Sequence, residues 1–226
     1  MAESFGAFGK IPAVGDFFRI APPAGFVRVW DEWVQRAMLV GQTALAAEWD
    51  ASYMSAPIWR FTLSAGLAGP SKAMGVLMPS VDRVGRRFPL TLMAALPTPG
   101  PAQLDHFSET KLFELLEDVA LDTLEDGATR EALETRLSGL HPPQSRHVAP
   151  VRMAGRTLVL TQPGLACGLG DLASGLLAGQ YRAPSIWTCQ TNDVPRLMIC
   201  DGLPEGPDMQ GLFHLSAPIW GEARPV

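Results

Sequence analysis

Ile58-Trp59-Arg60-Phe61-Thr62-Leu63-Ser64 sets a hydrophobic period of two, and that period decides the fold class. Successive side chains of an extended strand point to opposite faces, so Trp59, Phe61 and Leu63 belong to a buried face while Arg60, Thr62 and Ser64 belong to the other. Gly66 to Ser71 supplies a turn, Met74 to Met78 reads as a short, continuously apolar strand, and Leu90, Leu92, Ala94 and Leu96 carry a third. The connections are too short for helical crossovers. The three strands therefore predict an antiparallel meander.

Toward the N-terminus, Phe5 to Ile11 reads as a first short strand, Pro22-Pro23 breaks the chain, and a helix pattern begins near Gly25. Phe26, Trp30, Trp33, Val34, Ala37 and Met38 recur at three- and four-residue intervals against Arg28, Glu32, Gln35 and Arg36. An aromatic stripe at this spacing can line a ligand box. We read it as core, the commoner use of tryptophan at helical spacing.

Beyond the meander, Pro97, Pro99 and Pro101 close the block and a long acidic helix is expected from about 108 to 126. Its inner stripe would be Leu112, Leu115, Leu116, Val119, Thr123 and Leu124, with Glu114, Glu117, Asp118 and Glu125 as a solvated face. A second short helix, Ala128 to Leu137, ends at Gly139, and a polar connector runs from His141-Pro142-Pro143 through Pro150. Thr157 to Thr161, Ile186 to Cys189 and Arg196 to Cys200 read as strands, with a helix near Asp171 to Leu177. The whole is an α+β chain with a mainly antiparallel central sheet flanked by helices. The division is an N-terminal region over 1–140 and a C-terminal region over 141–226 packed against it, or else one continuous domain. The string Ser55-Ala56-Pro57-Ile58-Trp59 recurs at Ser216-Ala217-Pro218-Ile219-Trp220, but the flanks do not match and coincidence is the preferred reading.

Composition excludes several classes. The 226 residues are 47% hydrophobic and 18% charged, with a net charge of -5, as in a globular chain able to bury its own core without staples or metals. Mild acidity argues against nucleic acid, whose partners carry a basic face. No window approaches the apolar length a bilayer requires and the N-terminus shows no export signal, so the expected location is cytoplasmic, with no direct membrane insertion. Cys167, Cys189 and Cys200 form an odd set without C-x-x-C spacing and read as reduced thiols, mostly buried.

The four histidines, His106, His141, His147 and His214, have no metal-ligand spacing, and no serine lies in a G-x-S-x-G elbow. Neither metal nor cofactor is expected. Gly168-Leu169-Gly170-Asp171-Leu172-Ala173 matches G-x-G-x-x-A with Asp193 some way on. A dinucleotide site needs these glycines directly after a strand in a parallel βαβ unit, and six residues, Gln162 to Cys167, intervene. Close helix packing through small residues is the preferred account. Gly9-Lys10 fails the phosphate-loop pattern, because position 4 is not glycine and Ile11 replaces the hydroxyl residue.

Two stretches are not asked for by ordinary secondary structure. Phe8-Gly9-Lys10-Ile11-Pro12 with Gly15-Asp16-Phe17 is one, and Pro79 to Pro89, Pro-Ser-Val-Asp-Arg-Val-Gly-Arg-Arg-Phe-Pro, is the other. Gly9 and Gly15 permit backbone angles closed to other residues, while Asp16 and Asp82 can bond back to their own backbones. Arg83, Arg86 and Arg87 stand beside Asp82 in an otherwise acidic chain, and forked guanidinium donors suit carboxylate or phosphate on a partner. The alternative is that Asp82 caps a turn while an arginine pairs with Asp16 or another acid to lock the loop. Recognition and scaffolding both stand for the loop as a whole.

Four signatures occur in order: G-x-F-G-K-x-P-x-x-G-D-F near the start, W-D-x-W-x-Q at 30–35, A-P-x-W-R-F at 56–61 and P-S-V-D-R-V-G-R-x-F-P-L-T at 79–91. Together they resemble the type VI secretion-associated TagF family over roughly residues 5 to 96. The resemblance implies a cytoplasmic accessory factor that represses assembly or firing of the secretion machine after translation. The implied partner is the system's forkhead-associated scaffold protein, in a circuit with a membrane kinase and a phosphatase. Some relatives carry a fused metal-dependent phosphatase; this chain has no residues left for one, so it is expected to bind rather than dephosphorylate. The implied fold is related to longin or profilin-like domains. Among the motif residues, Trp59, Phe61 and Phe88 are expected in the core, and Lys10, Asp16, Asp82, Arg83 and Arg86, together with Arg87 beside them, are the candidates for a partner surface. The rivals are an enzyme with a hydrolytic cleft at Asp16 and Asp82, and a structural component of the assembled apparatus.

Overall fold

Trp59–Leu63, the strand that opens the meander, lies in the interior of the sheet, paired antiparallel on one side with Lys72–Met78 and on the other with Pro184–Thr191. The computed structural model describes residues 4–148, 151–160, 168–191 and 194–221. In chain order the elements are β1 (Gly6–Gly9), β2 (Phe18–Ile20), α1 (Phe26–Leu45), α2 (Trp49–Ser55), β3 (Trp59–Leu63), β4 (Lys72–Met78), β5 (Leu90–Leu96), α3 (Ala102–Ser108) and α4 (Thr110–Asp122). There follow α5 (Arg130–Ser138), β6 (Val151–Ala154), β7 (Thr157–Leu160), α6 (Leu169–Leu177), β8 (Pro184–Thr191), β9 (Val194–Asp201), α7 (Pro207–Phe213) and α8 (Pro218–Gly221).

Seven strands form one sheet in the order β2-β1-β5-β4-β3-β8-β9, with every neighbouring pair antiparallel, and β6-β7 is a separate hairpin. The α+β class, the antiparallel sheet and the β3-β4-β5 meander follow the sequence reading. Helices cover both faces. On one, Trp59, Phe61, Leu63, Met93 and Trp187 pack with Trp30 and Trp33 of α1 and with Leu212 and Phe213 of α7. On the other, Met74, Val76, Met78, Leu90 and Leu92 pack with Phe113, Leu116 and Val119 of α4 and Leu133 and Leu137 of α5. Both faces of β4 meet apolar side chains, so it reads as an unbroken apolar run, whereas the second face of β3 carries Arg60 and Thr62 against polar partners on α4 and α3.

The tryptophan stripe of α1 is core: Trp30 and Trp33 are fully buried, and their indole N–H groups donate to Thr91 Oγ1 at 2.8 Å and to the Pro204 carbonyl at 2.9 Å. The polar side of β3 is used as well. Arg60 makes a two-pronged ion pair with Glu117 of α4, both contacts 2.7 Å, and Thr62 bonds His106 of α3.

Several expectations need correction. The helix expected over 108–126 is shorter, α4 over Thr110–Asp122, and a helix not expected from the sequence, α3, precedes it; Glu109, with φ -106° and ψ 34°, parts the two. Phe113 takes the sheet-facing position and rotates the inner face, leaving Leu115, expected in the core, about half exposed; Leu124, also expected there and equally exposed, lies beyond the end of the helix. The polar connector after His141 is tied down: Arg146 Nε reaches Asp105 at 2.6 Å, and Asp105 also binds Lys72 of β4. Cys189 and Cys200 are buried, and burial pushes both thiols up to about 12. Thr161, Cys167 and Asp193 lie outside the described residues. The repeated pentapeptide takes two conformations, running from α2 into β3 at its first occurrence and into α8 at its second. Its two tryptophans nevertheless stack, Trp59 on Trp220, with centroids 5.9 Å apart.

Candidate functional site

The β4-β5 connection, residues 79–89, folds back against residues 10–17, joining the two stretches singled out in the sequence. Proximity begins in the sheet, where β1 pairs with β5, and Gly9 at the end of β1 has φ +134° with its Cα facing the Pro89 carbonyl. A Cβ at Gly9 would come within 2.2 Å of that oxygen, so only glycine permits the approach. From there the chain carries Lys10 under the loop.

Asp82 is the centre. Its side chain has no exposure, and its carboxylate accepts four hydrogen bonds: from Lys10 Nζ at 3.0 Å, Arg86 Nε at 2.6 Å, and the backbone N–H groups of Val84 and Arg86 at 3.1 and 2.9 Å. Burial alone would push the carboxyl up. The bonds from Arg86, Lys10 and Val84 outweigh it and hold the group far below the usual carboxylate range. Gly85, at φ +81°, lets the loop turn so that both backbone donors face inward.

Further bonds fix the loop to its surroundings. Arg86 Nη2 donates to the Gly15 carbonyl at 2.8 Å and the Arg83 N–H to the Val14 carbonyl at 3.1 Å. From α2, the buried Tyr53 hydroxyl donates to the Ser80 carbonyl at 2.8 Å and accepts from the Ser80 N–H at 3.0 Å. Beneath lie three aromatic rings: Phe17 meets Phe88 edge-on at 4.7 Å and Phe8 meets Phe88 at 5.7 Å. Lys10 Nζ sits 4.7 Å from the centre of the Phe17 ring.

The six candidates thus divide. Lys10 and Asp82 are buried and form the clamp. Arg86 is both clamp and surface, with its side chain 58% exposed. Arg83 is exposed beside Gly15, whose missing Cβ leaves room for the guanidinium; a Cβ there would lie 2.9 Å from Arg83 Nη2. Gly15 itself does not take the left-handed backbone expected of it. Asp16 is exposed, accepts the Phe17 N–H at 2.8 Å and forms no ion pair among the described residues. Arg87 turns away from the others toward α2, where it pairs with Asp50 at 2.9 Å. The acid that locks the loop is therefore Asp82 itself rather than Asp16.

Sequence reasoning did not assign Tyr53, Asp50 or Phe17 to this site. Phe17 stood within a quoted motif, but α2, which carries Tyr53 and Asp50, left no usable signal because its seven residues follow α1 through a short 3-10 turn. The surface that results is Phe17, about half exposed, Val84 at its apex, and the charged heads of Asp16, Arg83 and Arg86. Among the described residues no group of His, Cys, Asp and Glu is spaced to hold a metal ion, and no helix is long and apolar enough to cross a membrane. The G-x-G-x-x-A string packs as small residues do: Gly170 of α6 sits against Leu104 and Ser108 of α3.

Comparison with known proteins agrees with the motifs. No curated protein matches the chain. The crystal structure of PA0076 from Pseudomonas aeruginosa PAO1 superposes with a TM-score of 0.77 at 32% sequence identity, covering 99% of this chain and 98% of that one. The family model described as the TagF N-terminal domain, type VI secretion system-associated, matches residues 6–140, which include every strand and loop of the site. The chain belongs to the TagF family of type VI secretion-associated proteins.

Proposed function

We propose that the protein is a non-catalytic, cytoplasmic regulator that represses type VI secretion after translation by docking on the system's forkhead-associated scaffold protein through the surface of residues 10–17 and 79–89. The observation that supports this reading is the construction of the loop. A buried Lys10–Asp82 pair fixes its backbone while Arg83, Val84 and Arg86 remain outside. A surface ordered in advance loses less conformational freedom on binding, and guanidinium forks suit carboxylate or phosphate groups. Family membership supports the setting in type VI secretion. The four donors that occupy Asp82 favour a clamp over a hydrolytic pair with Asp16.

The test is a pull-down of the scaffold by wild-type protein and by Arg86→Glu and Arg83→Glu, with thermal melting as the check on folding. Loss of capture by the folded variants is the expected result. Unchanged capture would remove the loop from the account.

A further inference from the structure

We infer that β9 is a docking edge for an extended, acidic-apolar segment of a partner protein, which would add to the sheet as an eighth strand. This surface lies at the far end of the sheet order from β1 and β2, which adjoin the loop, and does not depend on the loop's role.

Among the described residues β9 pairs only with β8. The direction of its backbone groups follows from two bonds. The Gly202 N–H donates to the Ala183 carbonyl at 2.9 Å, and the Pro184 carbonyl faces β3, where it accepts the Ser64 N–H at 3.1 Å. In an antiparallel ladder the N–H and C=O of alternate residues turn to the same side. Arg196, Met198 and Cys200 therefore face β8, and Pro195, Leu197, Ile199 and Asp201 face outward. No backbone partner takes the outward groups of Leu197, Ile199 and Asp201 among the described residues. Pro195 has no N–H to offer, which closes the start of the edge and leaves Leu197 to Asp201 as the pairing register.

The two faces beside this edge are hollow. On one, Val194, Arg196, Leu215, Ala217 and Trp220 line a depression of about 620 Å³; on the other, Arg60, Phe107, Thr188 and Leu197 line one of about 290 Å³. Pro195, Arg196 and Leu197 border both. A strand added to an edge places alternate side chains on opposite faces, so it needs room on each.

Chemistry selects what each hollow accepts. Arg196 lies over the Trp220 ring at 5.0 Å, and among the described residues it forms no ion pair and its buried Nε–H has no hydrogen-bond partner. A carboxylate would supply the missing acceptor. Leu197 on the opposite face and Val194 at the start of the strand are both about half exposed, and they offer apolar contact. The incoming segment therefore alternates an acidic residue on the Arg196 side with an apolar residue on the Leu197 side.

The test uses the whole protein and two synthetic eight-residue peptides, one alternating valine with glutamate and one alternating valine with lysine. The glutamate peptide is expected to bind at least tenfold more tightly and to slow amide exchange at Leu197, Ile199 and Asp201. Arg196→Glu should reverse the preference and Arg196→Gln should abolish it, with unchanged thermal melting. A glutamate peptide methylated on its pairing nitrogens should lose binding. Equal affinity for both peptides, absent protection along β9, or a dimer whose β9 amides are already protected without peptide would each overturn the proposal.

Discussion

Lys10 and Asp82, 72 positions apart in the chain, meet at 3.0 Å with side-chain exposures of 6% and 0%. A buried ion is tolerated only while its counter-ion and hydrogen bonds remain, and removing one partner leaves the other charge stranded. Asp82→Asn is therefore expected to lower the melting temperature on the order of 10 °C, more than a typical surface change. Lys10→Met added to Asp82→Asn should recover part of the loss, because the stranded ammonium goes with it. Thermal melting of the four proteins of this cycle checks it; additive losses would mean that the two residues do not act as a pair.

The same carboxyl predicts an acid limit for the loop. Its folded pKa is depressed below the unfolded value, so the stabilisation is complete above the ordinary aspartate range near 3.8 and disappears as pH falls through the folded value. Protection factors for the amides of Val84 and Arg86, measured against the intrinsic exchange rate at each pH, should hold down to about pH 4 and fall below it.

His106 sets a milder pH dependence. Its ring nitrogens bond Thr62 Oγ1 and Thr188 Oγ1, both at 2.9 Å, and burial, with the Arg60 guanidinium second, pushes its pKa down from 6.5 to about 3. Below pH 6.5 the folded state keeps a neutral imidazole while the unfolded chain takes up a proton. Stability is therefore complete above pH 6.5 and falls as pH drops from there toward 3, with a slope approaching one proton. His106→Gln should flatten that segment of the stability profile, and denaturant titrations at pH 7.5, 6, 5 and 4 would show it.

Gly170 supplies a packing test. A Cβ there would sit 2.8 Å from Ser108 Oγ and 3.0 Å from the Leu104 carbonyl, and the carbonyl cannot rotate away. Gly170→Ala is expected to cost about 1–3 kcal/mol despite alanine's better helix propensity. A gain in stability, measured by urea unfolding, would mean that α6 does not press on α3 as described.

Trp30 carries one of the largest fully buried side chains and makes both ring contacts and the bond to Thr91. Trp30→Ala should cost about 3–5 kcal/mol, and Trp30→Phe a smaller amount that includes the unpaired Thr91 hydroxyl.

The strands were legible where side chains obey a simple period. Trp59, Phe61 and Leu63 announce β3 because only one of its faces is greasy, and Trp30 and Trp33 announce α1 because a single stripe meets the sheet. The elements that escaped are short. β2 has three residues, and the four of α8 begin inside the second copy of a pentapeptide whose first copy leads into β3, so local preference cannot choose between them. The loop was visible as an oddity of glycines, prolines and arginines. Its inner logic was not, because Lys10 and Asp82 look like surface residues in one dimension and are brought inside by the pairing of β1 with β5.

The family match ends at residue 140, yet β3 obtains one of its two neighbours from β8, far past that point. A polypeptide stopped at 140 would bare the flank of β3 along Arg60 to Leu63 and strip Trp187 from the rings of Trp30, Trp33 and Phe61. Raw strand flanks beside uncovered indoles invite sticking between molecules, so the shortened form is expected to precipitate at lower concentration than the 226-residue chain.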